Sequence, residues 1–257
     1  MRLNGFALRA AGAVAFVAVW HLASVTLIRE IPTPWASAEA VWRLTIVGEP
    51  ILRRTLWQHA LASVGRVLTG TAIAALVAVP IGLARGRIRA LDELALPATE
   101  MLRPVPPIAW IPLASIIFIA LTGTVAGVKV FIVVIGAFFP ILLNTLHGAR
   151  AVDEVYLDVA RAYRASHFDT FRTVIVPAAL PYIITGLRIG LGVGWMSIVA
   201  AEMIGGSASG LGYFVLAMYT IGGDTPAIVA GMMAIGAIGF VMNEVLVFAT
   251  RRATRWV

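Results

Sequence analysis

The sequence predicts an all-α integral membrane protein with about six transmembrane helices. Of its 257 residues, 60% are hydrophobic and 13% charged, with a mean hydropathy of +0.92; a soluble domain carries about 25% charged residues. The apolar residues gather into runs near the roughly 20 needed to cross a bilayer as a helix. Arginines fall between those runs rather than on one basic face.

The elements follow in chain order. Leu8 to Ile28 exceeds the roughly 7 to 15 residues of a secretory apolar region, so it is read as an anchor and not a cleaved signal. Arg29 to Ala60 is a connection with Pro32, Pro34 and Pro50, and its amphipathic piece Ala36–Ile46 suits a helix lying on the membrane surface. The second span runs from about Leu61 to Ala84, and the third from about Leu94 to Leu121. Pro104, Pro106, Pro107 and Pro112 remove backbone donors from this third span, so its freed carbonyls need protein or a water-lined cavity. Lys129 to Leu146 is the fourth span, Ala179 to Ile204 the fifth and Ala227 to Ala249 the sixth. Nothing repeats, and residues 1–257 read as a single transmembrane domain with a core of about 55–250.

Basic residues near span ends are retained on the cytoplasmic side. With the N-terminus inside, Arg2, Arg9, Arg85, Arg87, Arg89, Arg150, Arg161, Arg164, Arg172, Arg251, Arg252 and Arg255 all lie inside. Arg29, Arg43, Arg53 and Arg54 lie outside, with Arg66 and Lys129 near the outer boundary. Both termini are therefore expected to be cytoplasmic. The net charge of +7 is accounted for by this orientation and does not call for nucleic acid.

Several chemistries are excluded. There are no cysteines, so neither disulfides nor thiolate metal sites form, and the four histidines are scattered. A phosphate-binding loop of the Gly-x-x-x-x-Gly-Lys-Ser/Thr type needs its lysine; the one lysine, Lys129, is followed by Val130. The chain is thus expected to be no enzyme and to bind no cofactor.

Between the fourth and fifth spans lies a charged island, about residues 150–178. Val155, Val159, Ala162 and Tyr163 recur at helical spacing among Asp153, Glu154, Asp158, Arg161 and Arg164, which predicts a short amphipathic helix. Ser166 with Asp169 reads as the capped start of a second helix. Pro177 and Pro181 are expected to close the loop before the fifth span.

Asp158-Val159-Ala160, Arg164, Val174, Val176 and Pro177 stand at the spacing Glu-Ala-Ala, three residues, Gly, nine residues, Ile-x-Leu-Pro. That pattern resembles the coupling loop of ABC-importer permeases. Three departures remain: Asp for Glu, Val for the first Ala, and Arg164 for the turn glycine. Glu100 to Leu113, Thr185 to Trp195, Ala201-Glu202-Met203, Gly210 to Tyr213 and Leu56 to His59 are similar to segments of permeases for taurine, aliphatic sulfonates, nitrate and bicarbonate.

The resemblance implies the type I ABC importer (MetI-like) permease fold. It implies that Asp158, Val159, Ala160, Arg161, Ala162, Tyr163, Arg164, Ala165 and Ser166 lie against a separate ATPase dimer, which holds ATP and magnesium. With Arg164 in place of glycine, the helix break either moves to Ser166 or leaves Arg164 reaching an acidic group or water. The resemblance further implies a periplasmic or lipid-anchored substrate-binding protein, a second permease copy in a homodimer within membrane lipids, and a bacterial inner-membrane location.

Arg103, Pro104, Pro106, Trp110, Arg188, Trp195 and Glu202 are the candidates for a pathway or gate, each weighed against interface anchoring or packing. Asn243 and Glu244 in the sixth span are open in the same way. Gly186, Gly190 and Gly194, four residues apart, predict close helix crossing. The cargo expected is a small anionic or zwitterionic solute, with taurine and aliphatic sulfonates nearest and nitrate or bicarbonate in reserve. Two other classes fit the sequence less well. An ion-coupled secondary transporter would leave the island without a task. A membrane serine protease built on Gly205-Gly206-Ser207-Ala208 would have no histidine after His167 to act as base.

Overall fold

The computed structural model describes residues 5–28, 30–204, 208–222 and 224–253. Arg2, Arg29, Arg255 and the Gly205-Gly206-Ser207 run lie outside the described residues. Contacts divide the chain into two compact units: Met1–Ala62 with Gly206–Ile238, and Ser63–Gly205 with Gly239–Val257.

In the first unit, α1 (Gly5–Thr26) is apolar and exposed from Ala7 to Val19, with Ser24 buried near its end, the condition of a helix that faces lipid over most of its length. The surface piece is a helix, α2 (Pro34–Ile46), opened by Pro34 and capped by Thr33, whose Oγ1 accepts from Ala36 N at 3.2 Å. It buries Ser37, Ala40 and Leu44 and exposes Trp35, Trp42 and Ile46. The sixth-span helix begins at Thr225 and runs to Ala253.

A ten-residue apolar helix, Leu211–Thr220, precedes it; no such element was expected, because its length falls short of a crossing. Gly210 at its start has φ +119°, a conformation open to glycine. The Gly210 N–H donates to His59 Nδ1 at 3.1 Å, and the His59 ring lies 5.6 Å from that of Phe214. Two of the family-like segments therefore meet at one buried histidine.

The second unit is a layered helix bundle. α3 (Leu56–Arg87) continues into it from the first unit, followed by α4 (Arg89–Leu102), a 3₁₀ turn (Pro107–Trp110), α5 (Ile111–Thr122) and α6 (Val128–Arg150). After α6 come α7 (Glu154–Ala162), α8 (His167–Thr170), a π turn (Phe171–Ile175) and α9 (Val176–Ile204). The remaining helices are α10 (Leu211–Thr220) and α11 (Thr225–Ala253). Among the described residues five helices are long and apolar enough to cross a membrane, six if α4 and the bent segment after it form one broken span.

The centre of this unit is α6, packed without side-chain volume on both sides. A Cβ on Gly186 would meet Asn144 Cβ at 2.9 Å, and one on Gly190 would meet Ile141 Cγ1 at 2.9 Å and Ala137 O at 3.0 Å. Gly194 stands against Val133, and from the other helix Gly148 stands against Tyr182. The strip on α9 is thus in contact with α6 of the same chain. A second strip, absent from the sequence reading, lies on α3: Gly70, Gly82 and Gly86 face Val133, Thr145 and Ala149.

The re-entry into the fifth span differs from expectation. Pro177 and Pro181 do not close the loop; they lie within a helical run from His167 to Ile204. The π turn accommodates them: Val176 N donates to Phe171 O, five residues back, just before Pro177, which has no donor to give.

Candidate functional site

The broken third span builds the first part of the site. Pro104, Pro106 and Pro107 supply no N–H, and Pro106, standing before Pro107, is extended at ψ 136°, while Arg103 before Pro104 stays in the α region. The axis turns by 93° between Arg89–Leu102 and Pro107–Thr122, and Pro112 sits harmlessly in the first turn of α5. Beside the bend lies a cavity of about 310 Å³, lined by Arg103, Pro107, Phe139, Asn144, Ile189 and Val193 among others. Its walls are apolar apart from the guanidinium and the amide. Arg103 Nη2 also reaches Glu100 Oε2 at 3.1 Å. Pro104 and Pro106 are exposed in the turn, whereas Trp110 is half-buried against the cluster of Ala114, Val128, Ile132 and Ala201.

Arg188 occupies an unusual depth. Its neighbours Gly186 and Gly190 pack on Ala137 to Asn144, the middle of the 23-residue α6. At 1.5 Å per residue, Arg188 is therefore about 16 Å from either end of that helix. It is nevertheless exposed, on a stripe with Thr185, Gly192 and Met196. Arg188 Nε donates to Asn243 Oδ1 at 2.8 Å, and Asn243 Nδ2 donates to Glu244 Oε1 at 3.3 Å. Among the described residues no carboxylate lies within salt-bridge reach of Arg188. Trp195, nearly buried, shares with it a cavity of about 140 Å³, where Gly239 leaves room for the indole. Arg103 lines the other cavity, against the adjoining face of α9.

Glu202 is placed differently. It is 1% exposed, accepts from Ser63 Oγ at 2.8 Å and pairs with Arg66 Nη1 at 2.6 Å. Lys129, also buried, couples electrostatically to Arg66 and Glu202. The start of α3 and the end of α9 are thereby joined by charge at one end of the unit, beside the start of α6, where Glu202 attracts Lys129 and Arg66 repels it. Breaking such a buried pair by removing one partner costs about 3–5 kcal/mol.

At the opposite end of α6 and α9 lies the island. Asp153 caps α7 by accepting from Val155 N at 3.0 Å, and Ser166 caps α8 by accepting from Asp169 N at 3.1 Å. The break falls at Arg164 itself, with φ +52°. Arg164 N donates to Arg161 O at 2.9 Å and Ala165 N to Ala160 O at 3.0 Å, the paired bonds of a Schellman turn. Arg164 therefore does the glycine's work despite its Cβ. Asp158 pairs with Arg161 at 2.7 Å on an exposed face. Leu157 alone of α7 is fully buried, packed with Leu83, Ala149, Ile175 and Ile183. Val155, Val159 and Tyr163 form an exposed apolar stripe, Ala160 is half-buried, and Ala162, Ala165 and Ser166 are exposed.

Residues 70–257 match the family described as the binding-protein-dependent transport system inner membrane component. The chain belongs to that family. Among its relatives, the taurine transport system permease protein TauC of Escherichia coli is 36% identical over 95% of this chain and 87% of its own length. The bicarbonate transport system permease protein CmpB of Synechococcus elongatus is 32% identical over 97% and 90%. The fold is similar to that of an inward-facing MetNI methionine ABC transporter chain, with a TM-score of 0.64 at 19% identity over 84% of this chain and 97% of the other. An amino acid ABC transporter chain gives 0.58 at 20% identity, covering 79% and 94%.

The protein is thus a multi-pass membrane permease subunit of an ABC importer, with the type I importer fold. Membership implies an ABC ATPase and a substrate-binding protein as partners, and it displaces the secondary-transporter reading. In this permease the family-like segments are spread over several places: the bend, the Arg188–Trp195 cavity, the Glu202 cluster, the His59–Gly210 contact and the island.

One polar cluster escaped the sequence reading. Arg85, 3% exposed, donates from Nε and Nη2 to Asp92 Oδ1 at 3.2 and 3.1 Å, and from Nη1 to Thr99 Oγ1 at 2.7 Å. The other Asp92 oxygen bonds to Arg150 Nη2. A helix break separates Arg85 from Asp92, so no periodicity links them. The available signal was the acidic pair Asp92-Glu93 just after three inside arginines.

Proposed function

We propose that this permease forms, with a second copy of itself, the gated passage for a small anionic or zwitterionic solute of the sulfonate, nitrate and bicarbonate group, and that taurine or an aliphatic sulfonate is its cargo. The observation that supports this reading is Arg188. An arginine at the centre of a lipid-facing helix costs about 2.5–3.5 kcal/mol on insertion scales, and among the described residues none offers this one a carboxylate within salt-bridge reach. A water-filled passage between two copies removes that cost, and a planar guanidinium suits an oxyanion headgroup. The relatives named for taurine and bicarbonate handle solutes with a negative group, which agrees with the same charge.

The island is the ATPase-docking segment in this reading. Its exposed stripe of Val155, Val159 and Tyr163 offers apolar area to a partner, and Asp158 offers a charge. ATP and magnesium are held by the ATPase, and this chain contributes the passage as one domain in the bacterial inner membrane with both termini inside.

The test uses the complex of permease, ATPase and binding protein in liposomes, with taurine, an alkanesulfonate, nitrate and bicarbonate offered separately. Arg188→Leu should insert as well as the parent or better, yet lose uptake by about tenfold or more, the equivalent of about 1.4 kcal/mol. Unchanged uptake removes Arg188 from the passage. Ala160→Glu, which places charge on the docking face, should abolish substrate-stimulated ATP hydrolysis; normal stimulation would show that α7 is not the contact.

A further inference from the structure

We propose that Asp92 is a positioning residue for transport: a two-armed ionic joint through which displacement of the docking segment reaches the proline-broken span. The inference rests on the reading of α7 as that docking segment.

The inner arm is Arg85. Its buried guanidinium binds Asp92 and, two turns further along α4, Thr99. Residues seven apart share a helix face, so Arg85 fixes both the rotation and the height of α4 against the end of α3. Asp92 is its counter-charge, and a buried arginine needs one. The outer arm is Arg150, the last residue of α6, which takes the remaining Asp92 oxygen. Alongside, Arg87 Nη1 donates to Ala149 O at 3.4 Å.

The joint stands between two moving parts. Only Ala151, Val152 and Asp153 separate Arg150 from α7. Leu157 of α7 is bedded among Leu83, Ala149, Ile175 and Ile183, so a push on α7 is received by the ends of α3, α6 and α9. That apolar cluster contains no residue of α4. The polar contact that brings α4 into register with the end of α6 is the Asp92 carboxylate. Beyond Asp92, α4 leads within three turns to the 93° bend and the Arg103 cavity. An exposed ion pair adds little stability, but a joint has only to decide which position of α4 accompanies which position of the α6 end, and coupling is a difference between states.

The cysteine-free chain allows a direct test in the complex with its ATPase in nanodiscs. Val105→Cys lies in the cavity beside the bend, and its maleimide labelling rate is compared with and without ATP-Mg. In the parent background the rate should change about fivefold or more, the low end of ordinary coupling between sites. Adding Arg150→Gln or Asp92→Asn should abolish that change, and Arg150→Lys should keep most of it. Arg150 is half exposed, so Arg150→Gln removes one arm without stranding the buried Arg85, and a merely structural role would leave its nucleotide response at the parent level.

Docking is read separately, as protection of Ala162→Cys by the ATPase. No protection sinks the docking reading, and this proposal with it. Protection together with an undiminished Val105→Cys response in Arg150→Gln overturns the joint alone. A parent whose Val105→Cys labelling ignores nucleotide overturns it as well.

Discussion

Arg164 shows how far one backbone conformation constrains a residue choice. At φ +52° it pays the Cβ penalty of a left-handed residue, about 1–2 kcal/mol, while closing the two bonds that end α7. Arg164→Gly should remove that strain and slow hydrogen exchange of the α7 amides by a factor matching about 1 kcal/mol, with uptake kept. Faster exchange would mean that the arginine side chain holds the turn. The glycine spacing pointed to Arg164 but left a break at Ser166 open; that an arginine would adopt the glycine's geometry was not legible, because sequence shows identity and not φ. Glu202 illustrates the same limit. Its sequence context placed it near a helix end, but its burial against Ser63 and Arg66 depends on a contact more than 130 residues away.

Among elements, the long apolar helices were readable because twenty-residue hydropathy is a local property. The prolines were harder. Pro104, Pro106 and Pro107 lie at the break in the third span, Pro112 is absorbed in the first turn of α5, and Pro177 and Pro181 left the fifth helix continuous, since a single π turn before Pro177 shifts the bonding pattern. Propensity alone does not tell these cases apart. Consecutive Pro106 and Pro107 remove neighbouring donors, whereas Pro177 and Pro181 are a full turn apart. Short α10 went unseen because ten residues fall below a spanning length. The α9 strip yields a sharper expectation. A Cβ on Gly190 already comes within 3.0 Å of the Ala137 carbonyl, so Gly190→Leu must separate α6 from α9. Such overpacking costs about 1–3 kcal/mol, and in this variant uptake should fall with the ATPase still bound. Uptake at the parent level would show that the bundle relaxes around the leucine.

At the scale of the whole molecule, the arginine distribution sets an orientation that can be measured. Ser166→Cys, in a chain with no other cysteine, should resist a membrane-impermeant maleimide in intact cells and react once the inner face is opened. Labelling from outside would invert the topology. The directions of the helices already agree with alternation, since α3 and α6 run parallel and α9 antiparallel to both. The parallel pair has a mechanical consequence. Gly70, Gly82 and Gly86 each receive the residue 63 positions further on, at would-be Cβ distances of 2.6, 2.8 and 2.5 Å. Such notches work like a key in a shaft: a slip of even one residue, about 1.5 Å, would carry Val133, Thr145 and Ala149 out of register with all three notches. α3 and α6 are therefore expected to travel as one stiff strut, and the shape change of opening and closing to be taken up outside that pair, where the 93° bend between Arg89–Leu102 and Pro107–Thr122 already interrupts the helical backbone.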